Sequence, residues 1–347
     1  MLTDGCQLMA VIKSDAYGHG IEKIAEHLQN NGVCSFAVAS ASEGVKLRKH
    51  GIKGDILVLG YTHAKYADVL QANDLSQLII DGTYATALNK SGHKLRVHIA
   101  IDTGLHSVGI DHSNFDEIIS VYECENLTVE GVATHFASSD SLTRSDIEFT
   151  NMQNDRFLAI IDALKERGYN VGKLHSQSSY GVLNYPGLIC DFARVGMALL
   201  GVLSGDSDTV KKYNLKPILS LRAVIAQVRR IGAGESVSYG RNFTTDKPMK
   251  LATVNIGYAD GIARNISGKS FNCIVHGKKV PIVGRICMDF IMLDVTQVET
   301  AEAGDIVTLI GRDGDEVIRC EDLASAADTI TNEIFSRLGI RLPRIYF

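Results

Sequence analysis

The sequence predicts an α/β protein: a (β/α)8 barrel followed by a mostly antiparallel β-domain. Three observations carry this. Eight short apolar strands alternate with amphipathic, helix-length stretches over roughly the first 205 of 347 residues. No GxGxxG follows the first strand, which disfavours an open doubly wound sheet. After Leu203 the alternation stops, and closely spaced strands follow with glycine turns between them. The length agrees, because at roughly 150 residues per domain the chain holds about two. The expected domains are 1–205 and 206–347, joined by the turn-rich Ser204-Gly-Asp-Ser-Asp.

In order, the expected barrel strands are Leu8–Lys13, Phe36–Ser40, Ile56–Gly60, Gln77–Ile80, Leu95–Asp102, Thr128–His135, Lys173–Ser178 and Ala193–Leu200. Helical patterns lie between them at Ile21–Asn31, Ala41–Lys49, Asn114–Tyr122, Ile147–Arg167 and Ser179–Leu183. Ile147–Arg167 repeats apolar residues at spacings of three and four, and Gly168 ends it in a C-cap role. The β-domain strands are expected at Ile218–Ile231, Ser236–Tyr239, Lys250–Tyr258, Cys273–Val280, Phe290–Val295 and Asp305–Ile310, with Glu321–Ala327 the one helical stretch near the end.

Composition narrows the function classes. Lys plus Arg is 35 against 40 for Asp plus Glu, so there is no basic surplus for nucleic acid. No apolar run approaches the roughly 20 residues of a bilayer span, and the N-terminus lacks the pattern of a signal peptide. Seven scattered cysteines without a CxxC pair fit reduced thiols in a cytosolic setting, and no metal site is expected.

Several residues are placed to carry chemistry. Lys13 closes the first strand, where barrel enzymes keep their active sites. It is either an exposed loop lysine or an amine that burial favours as a nucleophile toward an aldehyde cofactor. Tyr17, before the Gly18-His19-Gly20 turn, is placed to reach a phosphate near a helix N-terminus. His135 closes the sixth strand, either stacked on a planar ring or satisfied in the core. Ser178 and Ser179 sit at a strand-to-helix turn, as phosphate ligands or as an N-cap. Arg194, inside the apolar eighth strand, needs a partner because it cannot shed its charge, and Gly196 allows close backbone approach. In the β-domain Tyr239 and Tyr258 each stand beside a glycine turn.

Taken together, AVIKSDAYGHG (10–20), AIDTG (100–104), THF (134–136), ARVGMALLG (193–201), SVSYGRNF (236–243), NIGYADG (255–261), VGRICMDF (283–290) and the terminal RLPRIYF resemble the alanine racemase family of pyridoxal phosphate enzymes. The resemblance implies that Lys13 carries pyridoxal 5'-phosphate as a Schiff base. It implies that Tyr17, Ser179 and the backbone at Gly196 and Met197 hold the phosphate, and that His135 packs against the ring. Arg194 would face the ring nitrogen and keep it unprotonated. Lys13 and Tyr239 would be the two bases, Tyr239 coming from the partner of a head-to-tail homodimer. Met288, Tyr258 and Asp289 would line the substrate entrance.

Three positions depart from the family pattern. Ala100 stands where a lysine is usual, Ser107 where an arginine is usual, and Asn332 where a tyrosine is usual. Loss of both charges leaves neither unpaired. Asn332 leaves room for a CH₂OH side chain and can hydrogen-bond it. It resembles the membrane-bound serine racemases of vancomycin resistance, which provide D-serine for cell-wall precursors. Only twelve residues precede Lys13, and the resemblance implies the cytoplasmic catalytic part of a longer membrane-anchored protein. The expected activity is racemisation of serine and alanine. The competing readings are an ordinary biosynthetic alanine racemase, a single-barrel pyridoxal phosphate homeostasis protein and a decarboxylase of the same barrel type.

Overall fold

The structure, a computed structural model, describes residues 2, 5–204, 209, 213 and 215–347. One compact unit takes the chain up to Leu199 together with Thr209 and Tyr213, and the other takes Leu200–Ser204 and the chain from Leu215 onward. The expected boundary at 205/206 and the linker at 205–208 lie outside the described residues.

The first unit is the barrel. Its strands are β1 (Gln7–Val11), β2 (Ser35–Val38), β3 (Asp55–Val58), β4 (Ser76–Ile79), β5 (Leu95–Asp102), the two-residue β6 (Ile110–Asp111) beside β5, β7 (Leu127–Ala133), β8 (Lys173–His175) and β9 (Phe192–Val195). Parallel ladders run in the order β8-β7-β5-β4-β3-β2-β1-β9, leaving one seam between β8 and β9. That seam is crossed by backbone bonds from Asp191 N–H to Leu174 C=O (2.8 Å) and from Arg194 N–H to Gln177 C=O (2.9 Å). The ring is thus nearly closed. Both faces of the strands are covered, which is why β2, β4 and β9 are buried at every residue, polar Ser35, Ser76, Gln77 and Arg194 included. Phe36, Ile56, Leu57 and Ile79 are fully buried there, each contributing roughly 1.5–3 kcal/mol.

Helices cover the ring. Ser40 and Glu43 form a capping box on Ala41–Lys49, and Asp81, Asn114 and Thr143 cap Gly82–Lys90, Phe115–Tyr122 and Arg144–Glu166. The longest, Arg144–Glu166, is followed by Gly168 at φ 82°. Two details differ from expectation. Tyr17 does not begin a helix, because Ser14–Tyr17 form a left-handed turn (φ 50–56°) and the next helix starts at Ile21. The eighth strand stops at Val195, and Met197–Leu200 is a tight 3-10 turn beyond Gly196.

The second unit holds β10 (Leu221–Ile231), β11 (Ser236–Val237), β12 (Phe243–Thr244), β13 (Met249–Val254), β14 (Asn272–Val275), β15 (Lys278–Pro281), β16 (Ile291–Asp294), β17 (Ile306–Asp313) and β18 (Glu316–Ile318). The main sheet is antiparallel, in the order β15-β14-β17-β10-β13-β16, with β18 on β17. β10 pairs with β17 through Leu221–Val224 and with β13 through Ile225–Ile231. The expected single strand Cys273–Val280 is a hairpin instead. His276 and Gly277 both take positive φ (50° and 70°), the geometry of a tight two-residue turn. Helical structure near the end is also more than the one expected stretch: Thr331–Ser336 follows Cys320–Ala327. Among the described residues no helix is long and apolar enough to cross a membrane.

Candidate active site

Lys13 follows β1 directly and stands half-buried at the start of the left-handed turn. Four consecutive non-glycine residues with positive φ cost roughly 1–2 kcal/mol each, so the surroundings must hold them. Glu43 does much of this. Its Oε1 accepts the N–H groups of Ser14 (2.6 Å) and Asp15 (3.3 Å), while Oε2 accepts those of Ala39 (2.8 Å) and Ser40 (3.3 Å). Asp15 Oδ1 in turn accepts the Ile21 N–H at 2.9 Å, tying the turn to the next helix. Nothing in the types of residues 14–17 announces this turn, although the Ser40-x-x-Glu43 capping box was visible in the sequence.

Tyr17 ends the turn with its ring buried and its phenol pushed up to about 12 by burial, so it remains a donor. Its hydroxyl points at Gly196, where a Cβ would lie 2.7 Å from it. Beyond β9 the N–H groups of Gly196 (3.2 Å) and Ala198 (3.4 Å) both donate to Ser179 Oγ. Tyr17 Oη, Ser179 Oγ and these amides make a donor set for an anion, with buried Met197 in the same turn. Ser178 does a different job: its hydroxyl caps the helix Ser179–Asn184 by accepting the Gly181 N–H at 3.4 Å.

Arg194 is buried on β9. Its Nη1 donates to His175 Nδ1 (2.9 Å) and its Nη2 to the Thr134 carbonyl (2.7 Å) and to His135 Nδ1 (3.1 Å). Among the described residues its Nε has no protein partner. Burial draws the guanidinium down to about 10, which still leaves it charged at neutral pH. Burial first, then Arg194 and Lys13, push His135 down to about 3, so its ring is neutral. The sequence reading missed His175, which is fully buried, and His98, whose Nδ1 lies 2.8 Å from His175 Nε2. It also missed Gln153, whose amide braces the His135 carbonyl and the Thr103 hydroxyl at 3.2 Å each. A histidine on each of the strands LRVHIAID and KLH was the signal available.

Ala100 is buried on β5 and Ser107 is exposed in the following loop. Asp102 organises that loop, its Oδ1 accepting the N–H groups of Gly104 and His106 (3.0 Å each) and its Oδ2 lying 2.8 Å from His106 Nδ1. Burial raises the Asp102 carboxyl, but these bonds outweigh it and hold the group below its ordinary range.

In the second unit Tyr239 is 69% exposed, on a tight turn after β11. Ser238 before it donates to the Arg285 carbonyl (2.6 Å), and Gly240 takes a left-handed φ of 70° beside the Arg285 guanidinium. Tyr258 and Met288 are exposed on neighbouring segments joined by bonds from Tyr258 N–H to Cys287 C=O and from Ala259 N–H to Met288 C=O (3.0 Å each). Asp289 pairs with Arg341 at 2.8 Å, and Arg341 also holds Asp260. Asn332 is half-buried, and its Oδ1 accepts the Ser204 hydroxyl at 2.5 Å.

A parallel barrel with a pinned lysine after its first strand, an anion cradle after its last and a separate antiparallel β-domain defines the class of two-domain barrel enzymes that carry pyridoxal phosphate. Residues 1–204 match the alanine racemase N-terminal domain and residues 218–346 its C-terminal domain, and the chain belongs to the alanine racemase family. It is 39% identical over 338 residues to an amino-acid racemase of Enterococcus faecalis, covering 97% of this chain and 47% of that protein. It is 36% identical to a serine/alanine racemase of Enterococcus gallinarum, again spanning 47% of it. With the alanine racemase of Methanococcus maripaludis it shares 35% over 98% of this chain and 91% of that protein. The solved alanine racemase of Bacillus anthracis with bound L-Ala-P superposes with a TM-score of 0.92 at 32% identity, covering all of this chain and 89% of that one. The chain therefore spans about half the length of two of these relatives.

The residues present fit pyridoxal phosphate. The cradle at Gly196 would be filled by any Cβ. Its donors suit a phosphate, and the unpartnered Nε of buried Arg194 suits a ring nitrogen.

Proposed function

We propose that this chain is a pyridoxal phosphate-dependent racemase of small amino acids that takes serine as well as alanine. The observation that carries the first half is the Arg194 cluster: a charged, buried guanidinium with only Nε left to give, on the strand that turns into the anion cradle. Tyr17, Ser179 and the amides at Gly196 and Ala198 would hold the phosphate, and His135 would pack against the ring. When bound, the cofactor supplies the electron sink that acidifies the substrate Cα–H. Arg194 donates a hydrogen bond but keeps its proton, so the acceptor it faces stays unprotonated. Lys13 Nζ takes or returns the Cα proton on one face, and Tyr239 Oη serves the opposite face. The exposure of Tyr239 supports a homodimer in which Tyr239 of the partner subunit completes the site. Met288 and Tyr258 would line the entrance. Asp289 would act there through its pair with Arg341. The match at residues 218–346 speaks against the single-barrel reading.

Serine is supported by Asn332. Its carbonyl is occupied by Ser204, which leaves the amide NH₂ as a donor toward a substrate hydroxyl. The printed name of the E. gallinarum relative points the same way. By this reading the D-serine formed supplies vancomycin-resistant cell-wall precursors. The test compares racemisation of L-serine and L-alanine by the parent and by Asn332→Tyr. The serine-to-alanine ratio of kcat/KM is expected to fall about tenfold, as one lost hydrogen bond predicts. An unchanged ratio removes Asn332 from specificity.

A further inference from the structure

The two histidines behind Arg194 form a chain with a fixed direction. Arg194 has no acceptor, so at 2.9 Å its Nη1–H must donate to His175 Nδ1. His175 therefore carries its proton on Nε2. That N–H points at His98 Nδ1, 2.8 Å away, which must be the acceptor. The proton of His98 then sits on its own Nε2. His175 is fully buried, so without His98 its Nε2–H would have no partner and the ring would gain by turning or changing tautomer. Either response withdraws Nδ1 from Arg194.

The fold goes out of its way to make this contact. The β5–β7 ladder runs in register up to Val97 opposite Val129 and then slips, so that His98 faces Gly131. Glu130 is the extra residue, a bulge that re-aims the strand beyond it. At 131 only a hydrogen atom fits, since a Cβ would lie 2.4 Å from His98 Nδ1 and 2.6 Å from the Lys173 carbonyl. The rings meet edge to face at 4.9 Å.

We propose that His98 is a positioning residue of the racemase. By taking the His175 proton it holds His175 Nδ1 against Arg194, and so keeps the guanidinium turned with Nε toward the cofactor. This rests on the reading that Arg194 faces the ring nitrogen. A loosened Arg194 would no longer keep the ring nitrogen unprotonated, so the share of turnovers in which the amino acid leaves as a keto acid, its amino group kept by the cofactor, would rise.

Two measurements test this. The first uses cofactor-free protein labelled with ¹⁵N-histidine, where imidazole NMR reads the tautomers. His175 and His98 are expected as Nε2–H forms, and an Nδ1–H form of His175 overturns the proposal. The second counts racemisation turnovers per cofactor lost as amine in the holoenzyme. His98→Leu removes the acceptor and is expected to give about tenfold fewer turnovers. His98→Asn, whose Oδ1 stands near the place of Nδ1, is expected to restore the parent value. Parent behaviour in His98→Leu overturns the proposal, as does a His98→Asn variant no better than His98→Leu. If His98→Leu does not fold, the tautomers and His98→Asn still decide. Arg194→Lys separates the two readings. If it leaves cofactor absorbance and partitioning unchanged, the Arg194 assignment fails. If it changes them while His98→Leu does not, only the role of His98 fails.

Discussion

At position 196 the side chain is a hydrogen atom because a methyl group would sit 2.7 Å from Tyr17 Oη. The phenol and the backbone amides that face Ser179 therefore share one small volume, and that volume is the proposed anion site. Gly196→Ala should push Tyr17 out of it. Overpacking of this kind costs about 1–3 kcal/mol, so cofactor affinity should drop tenfold or more in an absorbance titration, while far-UV circular dichroism stays that of the parent. Retained affinity would mean that the phosphate is held elsewhere. At this scale the sequence was informative where a residue type was out of place. Lys13 and Arg194 are charges at the ends of apolar strands, and charge in such a setting has to be explained. His98 and His175 carry a weaker mark, because neutral histidine is an ordinary core residue. Their contact exists only through a bulge and a glycine on another strand.

Among the elements, the turn at Ser14–Tyr17 depends most on help from outside itself. Its four positive φ angles are stabilised by one carboxylate, Glu43, which belongs to the helix after β2. Glu43→Ala should free four backbone N–H groups, cost about 1–3 kcal/mol, and slow racemisation by misplacing Lys13. Thermal unfolding and kcat check it, and parent values for both would show that the turn stands alone. The eight barrel strands were legible because strands covered on both faces are mostly apolar, with only occasional polar residues such as Gln77 and Arg194. Arg144–Glu166 was legible through its periodicity. The turn at 14–17 was not, since serine, alanine and tyrosine do not favour positive φ and a single aspartate does not announce four such residues in a row. Nor was the hairpin at His276-Gly277, which lacks the usual Asn-Gly, or the six-residue helix Thr331–Ser336, which begins at Ile330 without a side-chain cap. In each case tertiary contacts set the backbone.

For the whole molecule, two behaviours are expected. Burial pulls His98 down to about 4 and His135 to about 3, and holds His175 well below the 6.5 of a free histidine. The unfolded chain takes up these protons below 6.5 while the folded one cannot. Stability is therefore complete above pH 6.5 and declines as the pH falls toward 4, by up to about 1.4 kcal/mol per pH unit for each histidine. The urea midpoint should be lower at pH 5 than at pH 7, and equal midpoints would contradict neutral buried rings. The second behaviour concerns the proposed homodimer. Lys13→Ala and Tyr239→Phe should each be inactive alone. Unfolded and refolded together they should recover roughly a quarter of parent activity, because half the dimers are mixed and each mixed dimer has one intact site. No recovery would place both bases in one chain. The seam between β8 and β9 adds a constraint on change itself. Arg194 grips the carbonyls of Thr134 and His175 as well as His175 Nδ1, so from its place on β9 it bridges the end of β8 and the residue that follows β7. The group proposed to set the electronic character of the cofactor is also the clasp of the barrel. A carboxylate in its place would make the ring nitrogen a stronger sink, as transaminating chemistry wants, but would repel those carbonyls and open the ring. On the proposed reading, restraint toward side reactions would in that sense be mechanical, enforced by what it takes to close a circle of eight strands.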